Sequence, residues 1–204
     1  MKNKLVIVEG SDKAGKTTFI NEFLKDNPGW IYFHNPTGND SFSHDLYDLI
    51  KRTNNEKIKN KLILASHIHN INCVNELLQQ NNVVIMDRSL VSAFIYNFSH
   101  HFNYSGLEFT SYLRHEGVPS FEKVPTYYFQ LSISKNDFLK ELEKEDDEME
   151  LYFKHKMEQI HQDYEVLGID LAKQLFRPTV TMTFDYYNNP NEVQIASNVV
   201  NGNY

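Results

Sequence analysis

The sequence predicts an α/β fold, with a five-stranded parallel sheet between two layers of helices. Three observations carry that reading. Short apolar runs alternate with stretches of helical periodicity along all 204 residues, the order that produces parallel strands joined by crossover helices. Runs such as Val83-Val84-Ile85-Met86 are apolar throughout, as strands covered on both faces are. The first run leads into a glycine-rich loop that opens a helix.

Lys4 to Val8 reads as the first strand. The spacing GxxxxGK[ST] from Gly10 to Thr17 follows, and Phe19, Ile20, Phe23 and Leu24 give Lys16 to Leu24 an apolar helical stripe. A second strand at Trp30 to Phe33 precedes helical patterns at Ser43 to Arg52 and Glu56 to Gln80. Val83 to Met86 is the third strand, followed by helices at Val91 to Phe98 and Leu107 to His115. Thr126 to Ile133 forms the fourth strand, with helices at Lys135 to Leu142 and Leu151 to Gln174 after it. Thr179 to Phe184 and Pro190 to Val199 supply the last strand and helix. With no linker or repeat, residues 1–204 are expected to make one domain. The one biased segment, Lys140 to Glu150 (KELEKEDDEME), is too charged for a core and reads either as a solvated face or as a lid over a ligand.

The loop carries chemistry. Gly10 and Gly15 allow a backbone that turns successive N–H groups onto phosphate oxygens, through Ser11, Asp12, Lys13, Ala14, Lys16, Thr17 and Thr18. Lys16 is expected on the β- and γ-phosphates, and Thr17 on Mg²⁺. A bound nucleoside triphosphate follows, with Mg²⁺ as the expected cofactor.

Composition narrows the class. A net charge of −7 argues against a surface that coats a nucleic-acid polymer. The single cysteine, Cys73, cannot close an internal disulfide, which fits a reducing compartment. The chain starts directly on a strand and holds no apolar run of membrane-spanning length, so neither a leader nor a membrane partner is expected and the cytoplasm is the expected location. Asparagine and lysine are abundant, while arginine occurs only at 52, 88, 114 and 177. That bias fits an AT-rich genome such as that of a phage or a low-GC bacterium, and for a phage protein the compartment is the host cytoplasm.

At the end of the third strand, Asp87-Arg88-Ser89 places an acid and a base at the carboxyl edge of the sheet, where open α/β folds bind ligands. Asp87 is a candidate Mg²⁺ ligand, and Arg88 a planar fork for a phosphate. No NKxD base-selecting motif of GTPases is present, which leaves a kinase of small molecules as the leading class.

On these residues the chain resembles the thymidylate kinase family. Glu9 to Thr18 is similar to that family's loop EGxDxxGKTT, and Asp87-Arg88-Ser89-x-x-Ser92 to its DR(Y/H/S)xxS motif. The similarity extends through Leu62 to Gln80, Val118-Pro119 to Pro125, and Phe184-Asp185 to Val193. It implies transfer of the ATP γ-phosphate to a deoxynucleoside 5′-monophosphate, dTMP or a related pyrimidine, by a homodimer with a closing lid.

Residue by residue, the resemblance implies that Asp12 binds the acceptor 3′-hydroxyl and Arg88 its phosphate. Lys13 stands where one branch has a loop arginine supporting the transferring group. The lid candidate has no arginine, so Lys13 is the expected catalytic cation, ahead of Lys140 and Lys144. Asn189 falls in the adenine-side loop. Where the family stacks an aromatic residue on thymine and then presents an arginine, this chain has Ile63 or Leu64 and then His67. His67 reads either as a satisfied histidine or as a base contact. Pro36 lies in His34-Asn35-Pro36-Thr37, where the family has an arginine for the acceptor phosphate, while Ser92, Tyr96 and Asn97 are placed for sugar or base contacts or for packing.

Two alternatives stay open. Asp87 to Ser92 is also similar to the ERSxxS pattern of deoxynucleoside kinases, and Glu150 to Phe153 to their post-lid helix. That family's loop usually reads GNIxxGK[ST], however, and its catalytic EP carboxylate corresponds here to Asn35-Pro36. The missing arginines and stacking aromatic also fit a catalytically weak nucleotide-binding regulator.

Overall fold

A computed structural model describes residues 3–35, 40–80, 82–121, 123–143 and 154–203. Its elements are β1 (Lys4–Glu9), α1 (Lys16–Asp26), β2 (Ile31–His34), α2 (Ser41–Arg52), α3 (Glu56–Gln79), β3 (Val83–Asp87), α4 (Leu90–Ala93), α5 (Gly106–His115), β4 (Thr126–Leu131), α6 (Lys135–Glu143), α7 (Lys154–Phe176), β5 (Val180–Phe184) and α8 (Glu192–Asn201). The five strands form one parallel sheet in the order β2-β3-β1-β4-β5. The expected fold class is therefore the observed one.

Strand alternation divides the core. Leu5, Ile7, Val84, Met86 and Tyr128 face one side, packing with buried residues of α2, α3, α5 and α7. Val6, Val8, Ile85, Phe129 and Leu131 face the other, against Phe19 and Phe23 of α1, Phe138 of α6 and Val193 of α8. Each central strand is covered twice, which is why its sequence shows no polar alternation.

One expected element differs. The single helix expected over Val91 to Phe98 is the short α4, then a π-helical turn at Phe94–Phe98 and a 3₁₀ turn at Ser99–Phe102. Apolar spacing specifies a helical path but not which carbonyl each N–H selects. Here the wider turn falls on Tyr96, a residue of the candidate site, where such insertions often occur. Of the lid candidate 140–150, only 140–143 lie within the described residues, and Lys144 lies outside them. Among the described residues, no helix is long and apolar enough to cross a membrane.

Candidate active site

The loop between β1 and α1 is shaped by backbone that ordinary residues avoid. Gly10 has φ 143° and Gly15 φ 81°. A Cβ on Gly10 would stand 2.3 Å from the Leu131 carbonyl oxygen, so β4 closes that position to any side chain. Gly15 is the N-cap of α1 and makes no side-chain cap bond, which leaves the first N–H groups of the helix to an anion. Lys13 also sits in the left-handed region, at φ 68°.

Lys16 is buried and bends back across the loop, donating to the carbonyls of Gly10 at 2.9 Å and Ser11 at 2.7 Å. Burial, with the nearby Arg88 charge, pulls its pKa down to about 8 against the opposing pull of Asp12, Asp87 and Glu9. A cavity of about 340 Å³ joins Asp12, Lys13, Gly15, Lys16, Thr17 and Thr18 to His34, Asp87, Arg88 and Glu141. Thr17 and Thr18 are exposed within it. Ser11 and Ala14 are buried and do not line this cavity: Ser11 Oγ lies 3.2 Å from His161 Nδ1, and Ala14 packs into the core. Asn189 is exposed in the turn before α8, donates its N–H to the Asp185 carbonyl at 2.9 Å, and does not line this cavity.

Asp87 ends β3 and is buried. Its Oδ2 accepts from Tyr32 Oη at 3.2 Å and faces His34 Nε2 at 3.8 Å, whereas Oδ1 has no hydrogen-bond partner among the described residues. Burial lowers the His34 pKa despite the Asp87 charge beside it. An unpartnered buried carboxylate oxygen in the cavity that Thr17 lines suits a hard cation such as Mg²⁺.

Arg88 is the hinge of the site. Its own φ is 67°, and its guanidinium forms an ion pair with Asp12, lies 5.1 Å from the centre of the Tyr96 ring, and reaches Ser92 Oγ at 3.5 Å. Tyr96 Oη donates to the other Asp12 oxygen at 2.9 Å. Burial opposes ionisation of Asp12, but the Arg88 and Lys16 charges and the hydrogen bonds from Tyr96 and Arg88 outweigh it and hold the carboxyl below its usual range.

On the far side of Arg88 lies a second cavity of about 460 Å³. Ile63, His67, Ser92 and Tyr96 line it as expected, together with Asn97. Leu64 turns into the core, so the helix offers Ile63 and not Leu64. His67 is buried, and Asn35 Nδ2 donates to its Nδ1 at 2.8 Å. Asn35 Oδ1 in turn accepts from Asn70 at 2.7 Å, and Asn70 Oδ1 from Ser43 at 3.1 Å. Burial drops the His67 pKa to about 4, so the ring is neutral and its proton belongs on Nε2. His67 is thus satisfied at Nδ1 and also borders the cavity. Pro36 lies outside the described residues.

Several residues of the site escaped sequence reasoning. Lys59 lines the second cavity one turn before Ile63, and the spacing Lys59, Ile63, His67 is a helical stripe that could have shown it. Tyr47 and Ile50 repeat that logic on α2, whereas His34 and Asn35, in the segment the sequence already marks, stand at the carboxyl end of β2 and line the same cavity. Glu9 heads the loop motif, but its spacing did not show what it binds. It is fully buried and accepts from Ser89 Oγ at 2.6 Å, Ser92 N at 3.2 Å, Ser92 Oγ at 2.7 Å and Tyr164 Oη at 2.9 Å, so it ties β1, the Asp87-Arg88-Ser89 turn and α7 together.

Comparison with known proteins agrees with this geometry. A thymidylate kinase family model matches residues 8–176. A search of curated proteins finds no match. Among solved structures, a thymidylate kinase from Ehrlichia chaffeensis superposes with a TM-score of 0.62 at 15% identity, over 96% of this chain and 99% of that one, which is a likeness of fold. The chain belongs to the thymidylate kinase family and is a nucleoside monophosphate kinase, a phosphotransferase.

Proposed function

We propose that the chain, acting as one domain, transfers the γ-phosphoryl group of Mg-ATP to the 5′-phosphate of a pyrimidine deoxynucleoside monophosphate, dTMP or a close relative. The observation that carries this reading is the position of Arg88, which lines both cavities. A phosphate held there faces the loop cavity from the acceptor side, where the two anionic groups must meet.

In the donor cavity the N–H groups at the start of α1 and Lys16 hold the β- and γ-phosphates, and Lys16 exchanges its two carbonyl partners for phosphate oxygens. Thr17 and Asp87 would hold Mg²⁺, which when bound would neutralise phosphate charge. Lys13 supplies the further cation beside the transferring group. Lys140 pairs with Asp137 at 2.8 Å on the exposed face of α6, which supports Lys13 over Lys140.

From the acceptor cavity Arg88 clamps the monophosphate, and Asp12, which lines the neighbouring loop cavity and is held by Tyr96, accepts from the 3′-hydroxyl at the seam between the two. The His67 Nε2–H is a donor suited to a pyrimidine carbonyl, while Ile50, Ile63 and Ala93 give the base an apolar wall. No carboxylate lines this cavity among the described residues, which favours an already anionic acceptor over a nucleoside hydroxyl that needs a base. Cytoplasmic location and homodimerisation complete the reading, the latter supported by the exposed Phe42, Leu49 and Ile58.

The deciding experiment is a panel of ribo- and deoxynucleosides and their 5′-monophosphates with Mg-ATP, read as ADP release. ADP release with a pyrimidine deoxynucleoside monophosphate is the expected result. Release with nucleosides alone would convert the reading to a nucleoside kinase, and silence across the panel to a regulatory nucleotide binder.

A further inference from the structure

Away from both cavities, three side chains converge where the start of α2 meets α3. Asp40 is the N-cap of α2 and accepts from the Ser43 N–H with Oδ1 at 2.8 Å, which fixes the direction of its other oxygen. That Oδ2 lies 2.9 Å from His69 Nε2 and 3.9 Å from Cys73 Sγ. His69 and Cys73 are one helical turn apart on α3, with 3.5 Å between Nε2 and Sγ. The Phe42 ring, 4.7 Å from the imidazole, covers one side.

A carboxylate oxygen, an imidazole nitrogen and a thiol sulfur form a donor set for a borderline divalent cation, zinc above all. With Zn–S near 2.3 Å and Zn–N and Zn–O near 2.0 to 2.1 Å, a tetrahedron has edges of about 3.5 Å from sulfur to nitrogen or oxygen and about 3.3 Å from nitrogen to oxygen. The distances of 3.5, 3.9 and 2.9 Å depart from those edges by about 0.4 Å or less, within reach of small side-chain rotations. An ion pair accounts for Asp40 and His69. The thiol at the third corner lies within sulfur hydrogen-bond distance of both and adds the softer ligand that a zinc-class ion takes.

We propose that Asp40, His69 and Cys73 bind a zinc-class divalent cation, with water in the fourth position. Side-chain exposures of 39% for Asp40 and 31% for His69 leave the ion a path from solvent. The site goes beyond the proposed phosphoryl transfer but would bear on it. Here α2 carries Tyr47 and Ile50, α3 carries Ile63 and His67, and Asn70, next to His69 in sequence, links Ser43 to Asn35. A cation pinning the first turn of α2 to α3 braces that wall of the acceptor cavity.

Cobalt(II) is the probe. Cys73 is the only cysteine in the chain, so a thiolate-to-cobalt charge-transfer band reports this site even when cobalt also binds at Asp87 and Thr17. Titration of the nucleotide-free protein is expected to give that band together with tetrahedral visible bands, both bleached by Zn²⁺. Cys73→Ala should abolish the charge-transfer band. His69→Ala and Asp40→Asn, the latter retaining an N-cap side chain and with it the fold, should each weaken cobalt binding by about tenfold or more. No charge-transfer band in the folded wild-type protein, or an affinity unchanged in both His69→Ala and Asp40→Asn, overturns the site. Circular dichroism of each variant verifies folding, and none of these readouts depends on kinase activity.

Discussion

Asp12 and Arg88, 76 positions apart in the chain, form an ion pair at the seam between the two cavities, and Tyr96 closes the group from the acceptor side. One residue comes from the phosphate loop after β1 and the other from the turn after β3. Adjacent parallel strands carry both to the same edge of the sheet. The pair leaves neither charge uncompensated, and in the proposed reading it holds the guanidinium for the acceptor phosphate and the carboxylate for the sugar hydroxyl.

A protein–ligand cycle tests the carboxylate. With the wild-type protein a 3′-deoxy acceptor should have a lower kcat/KM than the 3′-hydroxy acceptor, and Asp12→Ala should erase the difference while lowering both values. Equal discrimination before and after the substitution would assign Asp12 to positioning Arg88 alone.

Lys13→Met should lower kcat by about two orders of magnitude or more with little change in ATP affinity, while Lys13→Arg retains activity and Lys140→Met has little effect. Lys13 also sits at positive φ. Lys13→Gly should therefore raise the Tm as it lowers kcat, because glycine relieves a left-handed strain of about 1–2 kcal/mol. A kinetic comparison with thermal melts of the same proteins checks both halves, and a dispensable Lys13 would move the catalytic cation elsewhere.

The pKa of Lys16 near 8 in the free protein makes nucleotide binding proton-linked. Phosphate favours the charged ammonium, so binding just above pH 8 should take up protons, visible by calorimetry in buffers of different ionisation enthalpy. Lys16→Ala should remove that uptake and cost roughly 3 kcal/mol or more in transition-state stabilisation. Uptake that persists in the variant would trace the proton to another group.

His67 gives a stability test. Its folded pKa of about 4 lies below its ordinary 6.5, so between these values the unfolded chain binds the extra proton and stability falls as pH falls through that window. His67→Gln keeps an amide in the Asn35 network and should show a shallower loss of urea midpoint between pH 7 and pH 5 than the wild type. Parallel losses in the two proteins would mean that the ring is not neutral and buried in solution.

The local spacings were legible from the start because their physics is local. The spacing from Gly10 to Thr17 is that of a loop suited to an anion where a strand feeds it, and the continuous apolar strands must be covered on both faces, so the fold class and the proposed donor residues were read from the sequence alone. Half of the acceptor wall was legible for the same reason, since Ile63 and His67 share a helix face. Lys59 belongs to that stripe too, although a charged residue near a helix start reads as solvent-facing until the cavity beside it is known.

What only the tertiary structure decided are the meetings of side chains whose separation in sequence carries no period. Glu9 joins Tyr164 across 155 positions, Asn35 joins His67 and Asn70 across 32 and 35, and Asp40 reaches His69 and Cys73 across 29 and 33. The strand order β2-β3-β1-β4-β5 sets the carboxyl ends of β1, β2 and β3 side by side. Strand periodicity determines which faces are buried, but it does not determine which strand lies next to which. The residues that close the site are therefore chosen by that packing.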